Sequence, residues 1–98
     1  MPEKQFYVYM LASRIGGTLY VGVTSRLIER VSEHRDGVVA GFTKRYRVHR
    51  LVWFEVHHTA ESAIRREKQM KEWRRAWKVQ LIHERNPDWD DLFLGLVG

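Results

Sequence analysis

The run Phe6-Tyr7-Val8-Tyr9-Met10-Leu11 sets the first limit on the fold. Aromatic, β-branched and long apolar residues in unbroken succession favour extended backbone, where their side chains pack on a pleated surface. Gly16-Gly17 follows as a turn signal, and Thr18-Leu19-Tyr20-Val21-Gly22-Val23 repeats the same character. Two such runs around a glycine pair predict an antiparallel hairpin. With 98 residues in all, the expected organisation is a single domain, 1–98. A chain of this size buries roughly 60–65% of its unfolded surface, enough for one modest core.

Several classes drop out on composition. The chain has no cysteine, which excludes a disulfide scaffold, a cysteine zinc site and a thiol nucleophile. That usage fits a cytoplasmic protein. The apolar run after Met1-Pro2-Glu3-Lys4-Gln5 is too short for a signal peptide, and no stretch approaches the ~20 apolar residues of a membrane span. The chain is 44% hydrophobic and 30% charged, a globular balance rather than a disordered one.

Beyond the hairpin, Thr24 or Ser25 can cap a helix beginning near Arg26, with Leu27, Ile28 and Val31 as its buried stripe and Gly37 placed to end it. Val38 to Val48 reads as a basic loop. Arg50 to Val56 reads as a third, well-buried strand. Thr59 can cap a long helix from Ala60 to about Trp77, with a kink before Lys78, and Asn86-Pro87 ends the helical region. The tail packs back through Trp89, Leu92 and Phe93, and the trio Trp73, Trp77 and Trp89 is expected in the core. The predicted fold class is α+β: a three-stranded, mainly antiparallel sheet flanked by helices, in the order β-β-α-β-α-α.

Charge is unevenly placed. The formal net charge is +5, from 17 Lys+Arg against 12 Asp+Glu. The segments Arg26–Arg50 and Glu61–Lys78 each hold seven basic residues against three acidic ones, so each carries +4 and the remainder −3. A polyanion-facing surface and two solvated helix faces account for this equally well.

One position in the long helix stands out. At about 100° per residue, Ala60, Ala63, Ile64, Met70, Trp77 and Leu81 share an arc, and Glu67 falls inside it. An acid there needs a partner, a metal or an opening to solvent; an Arg or Lys of the same helix would suffice. Arg30 and His34, four apart, share a face of the first helix. Tyr9 and Tyr20 lie on the two hairpin strands, within reach of each other across the ladder. His57-His58 lacks metal-ligand spacing and is given no role.

Taken in order, Tyr7-Val8-Tyr9, Tyr20-Val21-Gly22, Arg30, His34 and Glu67 resemble the GIY-YIG endonuclease superfamily, and more closely its small single-domain UvrC-like members. Glu33-His34-Arg35-Asp36-Gly37, Gly41-Phe42-Thr43-Lys44-Arg45-Tyr46, Arg66-Glu67-Lys68-Gln69-Met70-Lys71 and Asn86-Pro87-Asp88-Trp89 extend the likeness over nearly the whole chain. The resemblance implies that Tyr9 ends the first motif, Tyr20 opens the second, Arg30 is the catalytic arginine and Glu67 the metal-binding glutamate. His34 falls where the family has His or Tyr, and Asn86 is the one candidate for a late auxiliary asparagine. Tyr7 stands where the name motif has Gly, and Val23 where some relatives carry Lys.

By the same resemblance the activity would be structure-selective hydrolysis of DNA phosphodiesters, of repair or recombination type, with one Mg²⁺ or Mn²⁺ ion. A single carboxylate suits one water-rich Mg²⁺, whereas a two-metal site would need more converging acids. The basic and aromatic residues Lys44, Arg45, Tyr46 and Arg47, with Lys71, are the expected nucleic-acid contacts, suited to backbones and splayed bases of DNA, branched DNA or RNA. A monomer is compatible with this. The competing reading is a non-catalytic nucleic-acid-binding module that keeps the fold; a protein-interaction domain would explain the tryptophans but not the Tyr-Tyr-Arg-Glu spacing.

Overall fold

The computed structural model describes residues 4–97. In chain order the elements are β1 (Phe6–Ala12), β2 (Leu19–Thr24), α1 (Leu27–Arg35), α2 (Phe42–Tyr46), β3 (Arg50–His57), α3 (Ala60–Glu72), α4 (Arg75–Arg85) and α5 (Phe93–Val97). The strands form one antiparallel sheet in the order β2-β1-β3, so the fold is the α+β arrangement expected. No helix among the described residues is long and apolar enough to cross a membrane.

β1 is central because it is apolar on both faces, the pattern of a strand covered above and below. Val8, Met10 and Ala12 join a core with Val21, Trp53, Ala63, Met70, Ile82 and Trp89, on the side covered by α3 and α4. Tyr9 and Leu11 face the other side, with Leu27, Val31, Val48 and Leu51, under α1 and the tail. Between Met10 and Leu11 the register to β3 shifts, Met10 facing Trp53 and Leu11 facing Leu51. This bulge lets the successive residues Val52 and Trp53 both serve the first core.

Several expectations are corrected. Neither Thr24 nor Ser25 is the N-cap of α1: that position is Arg26, with no side-chain cap, and the Thr24 hydroxyl instead accepts the Arg26 N–H at 3.0 Å. The segment 38–48 is not all loop, since Phe42–Tyr46 closes a helical turn between Gly41 (φ 98°) and Arg47 (φ 55°). The long helix ends at Glu72 rather than near Trp77; Trp73 and Arg74 are both extended, with ψ 149°. An unbroken helix from Ala60 to Ile82 would be about 34 Å long, against about 26 Å for the eight residues of β3. The turn at Trp73 brings Ile82 back to the core that Met70 fills. Trp77 (50% exposed), beyond the break, consequently leaves both stripe and core, and Ile64 (42%) is also exposed.

Other signals hold. Thr59 caps α3 by accepting the Ser62 N–H at 3.1 Å. Gly37, at φ 71°, ends α1, and Val38 N–H returns to the Glu33 carbonyl. His57 ties β3 to α3: its ring shares hydrogen bonds with Ser62 Oγ (2.5 Å) and Glu55 Oε2 (2.6 Å), and Arg66 grips the same carboxylate.

Candidate active site

The second motif's glycine builds the site. Tyr9 on β1 stands directly opposite Gly22 on β2, and Leu11 opposite Tyr20. Tyr9 and Tyr20 are therefore diagonal neighbours on one sheet face, with ring centroids 6.3 Å apart. A β-carbon at position 22 would collide with the Tyr9 ring at Cζ and its hydroxyl. The bare strand lets the buried Tyr9 ring lie across β2 and send its hydroxyl toward α1.

There the hydroxyl lies 3.1 Å from His34 Nε2, and His34 Nδ1 lies 2.9 Å from Thr43 Oγ1 on α2. His34 and Thr43 are both buried, so the His34–Thr43 end of this hydrogen-bonded chain is shielded from bulk water. Burial and then the Arg30 charge lower the His34 pKa, against a smaller opposing effect of Glu33, which leaves the imidazole neutral at pH 7. Burial pushes the Tyr9 phenol up to about 12; Tyr20 adds to the rise, Arg30 opposes it, and Glu67 adds again. The Arg30 guanidinium, half-exposed on α1, also pairs with Glu33 at 3.5 Å.

Glu67 approaches from α3, one turn from each of the buried residues Ala63 and Met70. Its side chain is 13% exposed, and its carboxylate lies 3.3 Å from Lys71 Nζ. Lys71 in turn sits 5.8 Å from the centre of the Tyr20 ring. The same-helix partner considered for Glu67 is thus present, and the pair stands beside the tyrosines rather than beneath the sheet.

The structure therefore brings Tyr9, Tyr20, Arg30, His34, Glu67 and Lys71 to one corner of the sheet. α2 extends that corner outward. Phe42 stacks on Tyr20 with centroids 6.3 Å apart, Tyr46 lies 4.8 Å beyond Phe42, and Arg45 covers the Tyr46 ring. Lys44, Arg45, Tyr46 and Arg47 are all exposed on this turn, lining an open depression with Gly41 and Phe42. Asn86 is not part of the corner. Buried at the end of α4, it donates from Nδ2 to the Val52 and Asp90 carbonyls and accepts the Asp90 N–H, so its amide is spent on joining β3 to the tail.

Two contributors were not singled out from the sequence. Gly22 carried a usable signal, because a glycine inside a strand often marks close approach of another group. Thr43 carried none: a threonine in a basic segment says nothing of its inward direction until α2 is formed.

Among the described residues no three His, Asp or Glu side chains group as a metal cage. The donor set still fits one magnesium-like ion, for which one partly open carboxylate, waters and a substrate phosphate make a usual shell. Glu67, now paired with the half-exposed Lys71, would be that carboxylate.

Residues 5–80 match the family model of the GIY-YIG catalytic domain, and the chain belongs to this family of nucleases. It is 33% identical over 78 residues to a UPF0213 protein of Staphylococcus saprophyticus, covering 80% of this chain and 94% of that one. A UPF0213 protein of Staphylococcus aureus is 38% identical over 69 residues, covering 70% and 84%. The solution NMR structure of a UPF0213 protein from Bacillus halodurans superposes with a TM-score of 0.55 at 29% identity, over 89% of this chain and 92% of that one.

Proposed function

We propose that this chain is a metal-dependent, UvrC-like endonuclease of the cytoplasm that hydrolyses phosphodiester bonds in DNA and selects substrate by structure, in repair or recombination. The observation that carries this reading is the convergence of a phenol backed by a neutral imidazole, an arginine and a single acid beside an exposed basic and aromatic turn.

Each group has a physical task. Arg30 balances charge that grows on the phosphate, the kind of electrostatic help that often dominates catalysis. Tyr9 takes the proton of the attacking water while its own hydroxyl proton passes to His34 Nε2, the one imidazole nitrogen within reach. Arg30 favours the phenolate form of Tyr9, which offsets part of its burial. Glu67 would hold one Mg²⁺ or Mn²⁺ ion, which supplies Lewis-acid stabilisation of the phosphate when bound. Lys44, Arg45, Arg47 and Lys71 hold the backbone, and Tyr46 offers a face to a base.

The test follows nicking and binding together, on duplex DNA, branched DNA and RNA, for wild type and Glu67→Ala with Mg²⁺, Mn²⁺ or a chelator. Metal-dependent cleavage that drops at least ~100-fold in Glu67→Ala, with binding kept, is expected. The Lys71–Glu67 pair favours a second reading, a binding module whose acid is already neutralised. Binding by both proteins with no cleavage of any substrate selects that reading.

A further inference from the structure

We propose that Thr43 is a positioning residue of this site: from α2 it holds His34 in the Nδ1–H tautomer, so that Nε2 is left as the acceptor for the Tyr9 proton. This rests on the nuclease reading only for its kinetic consequences; the tautomer itself is a property of the free protein.

His34 and Thr43 are both 3% exposed, so their polar atoms depend on each other and not on solvent. A neutral imidazole has one N–H and one lone pair. Two arrangements therefore fit the distances of 3.1 Å and 2.9 Å. In one, Tyr9 donates to Nε2 and Nδ1–H donates to Thr43 Oγ1. In the other, Thr43 donates to Nδ1 and Nε2–H points at the Tyr9 oxygen.

The neighbours decide between them. Arg30 lies beside the Tyr9 hydroxyl and interacts with it. A guanidinium can only donate, so it cannot take the phenol proton, which needs another acceptor. His34 is the hydrogen-bond partner there to receive it, which makes Nε2 the bare nitrogen and puts the ring proton on Nδ1. A proton on Nδ1, buried, needs an acceptor, and Thr43 Oγ1 is that acceptor. The tautomer of a working histidine is commonly set this way by the bond its other nitrogen makes.

α2 is built to keep Thr43 there. The turn is bracketed by positive-φ backbone at Gly41 and Arg47, and the Thr43 carbonyl accepts the Val48 N–H at 2.8 Å. Val48 is itself fully buried in the core beneath α1. Phe42, Lys44, Arg45 and Tyr46 point outward from the same turn. One turn therefore presents basic and aromatic groups on its outer side and orients the proton acceptor from its inner side.

The direct experiment is ¹⁵N NMR of the His34 ring in the free, full-length protein, with Thr43→Val and Thr43→Ser alongside. Wild type should show a protonated Nδ1 and a bare Nε2. Thr43→Val, nearly isosteric but without an acceptor, should shift His34 toward the Nε2–H form, and Thr43→Ser should restore the wild-type pattern. In the cleavage assay Thr43→Val should lower kcat roughly 10–100-fold, the usual size of an outer-shell loss, with KM changed less than about threefold and Thr43→Ser recovering most of kcat. A wild-type ring protonated at Nε2 overturns the proposal even if the valine variant does not fold, and so does a valine variant with unaltered tautomer and kcat. Absence of cleavage by wild type would sink the nuclease reading while the ring spectra still decide the role of Thr43.

Discussion

Tyr9 and Gly22 work as one unit: the ring occupies the space the glycine leaves empty. Gly22→Ala should push the ring off β2 and break the Tyr9–His34 bond. Overpacking of this kind costs about 1–3 kcal/mol, measurable as a lower urea midpoint, and nuclease activity should fall further than stability does. A variant with both properties intact would show that the ring has room to move. His34 brings pH into the fold. Its folded pKa lies below the ordinary value of 6.5 because of burial first and Arg30 second. As pH falls below about 6.5 the unfolded chain takes up a proton that the folded chain refuses, so stability drops through the window between 6.5 and the lowered pKa, and it is fully present above 6.5. Urea melts at pH 5 and pH 7.5 should therefore differ in wild type and differ less in His34→Gln.

At the scale of elements, local signals carried the capping of α3 by Thr59 and the ending of α1 at Gly37. They did not carry α2 or the break at Trp73. No glycine or proline marks that break; it arises because a straight helix would overrun the sheet that its apolar residues must cover. Asn86 shows the same limit from another side. Its position in the chain suited an auxiliary catalytic group, while its amide holds Val52 and Asp90. Asn86→Ala should cost about 1–3 kcal/mol, because it strands buried backbone groups. Turnover per folded molecule should stay near wild type; a selective loss of turnover at unchanged stability would return Asn86 to the site.

For the whole molecule, the two basic segments meet beside the tyrosines, α2 from one and Lys71 from the other. Affinity for DNA should fall linearly with log salt, and Lys44→Ala with Arg45→Ala should flatten that slope by about two, one for each phosphate contact removed. An unchanged slope would move the contact surface elsewhere. What the sequence alone determined is the set of strands and the hairpin, one helix cap, the charge segments and, through the spacing of Tyr9, Tyr20, Arg30, His34 and Glu67, which residue types were available for chemistry. Those features depend on backbone preference and on period, which neighbouring residues express by themselves. Only the tertiary structure decided that β1 is central, that α3 stops where it does, that Asn86 is spent on the scaffold and that Thr43 stands behind His34. Each of these turns on a register or a burial shared by segments far apart in the chain, and no local stretch encodes that.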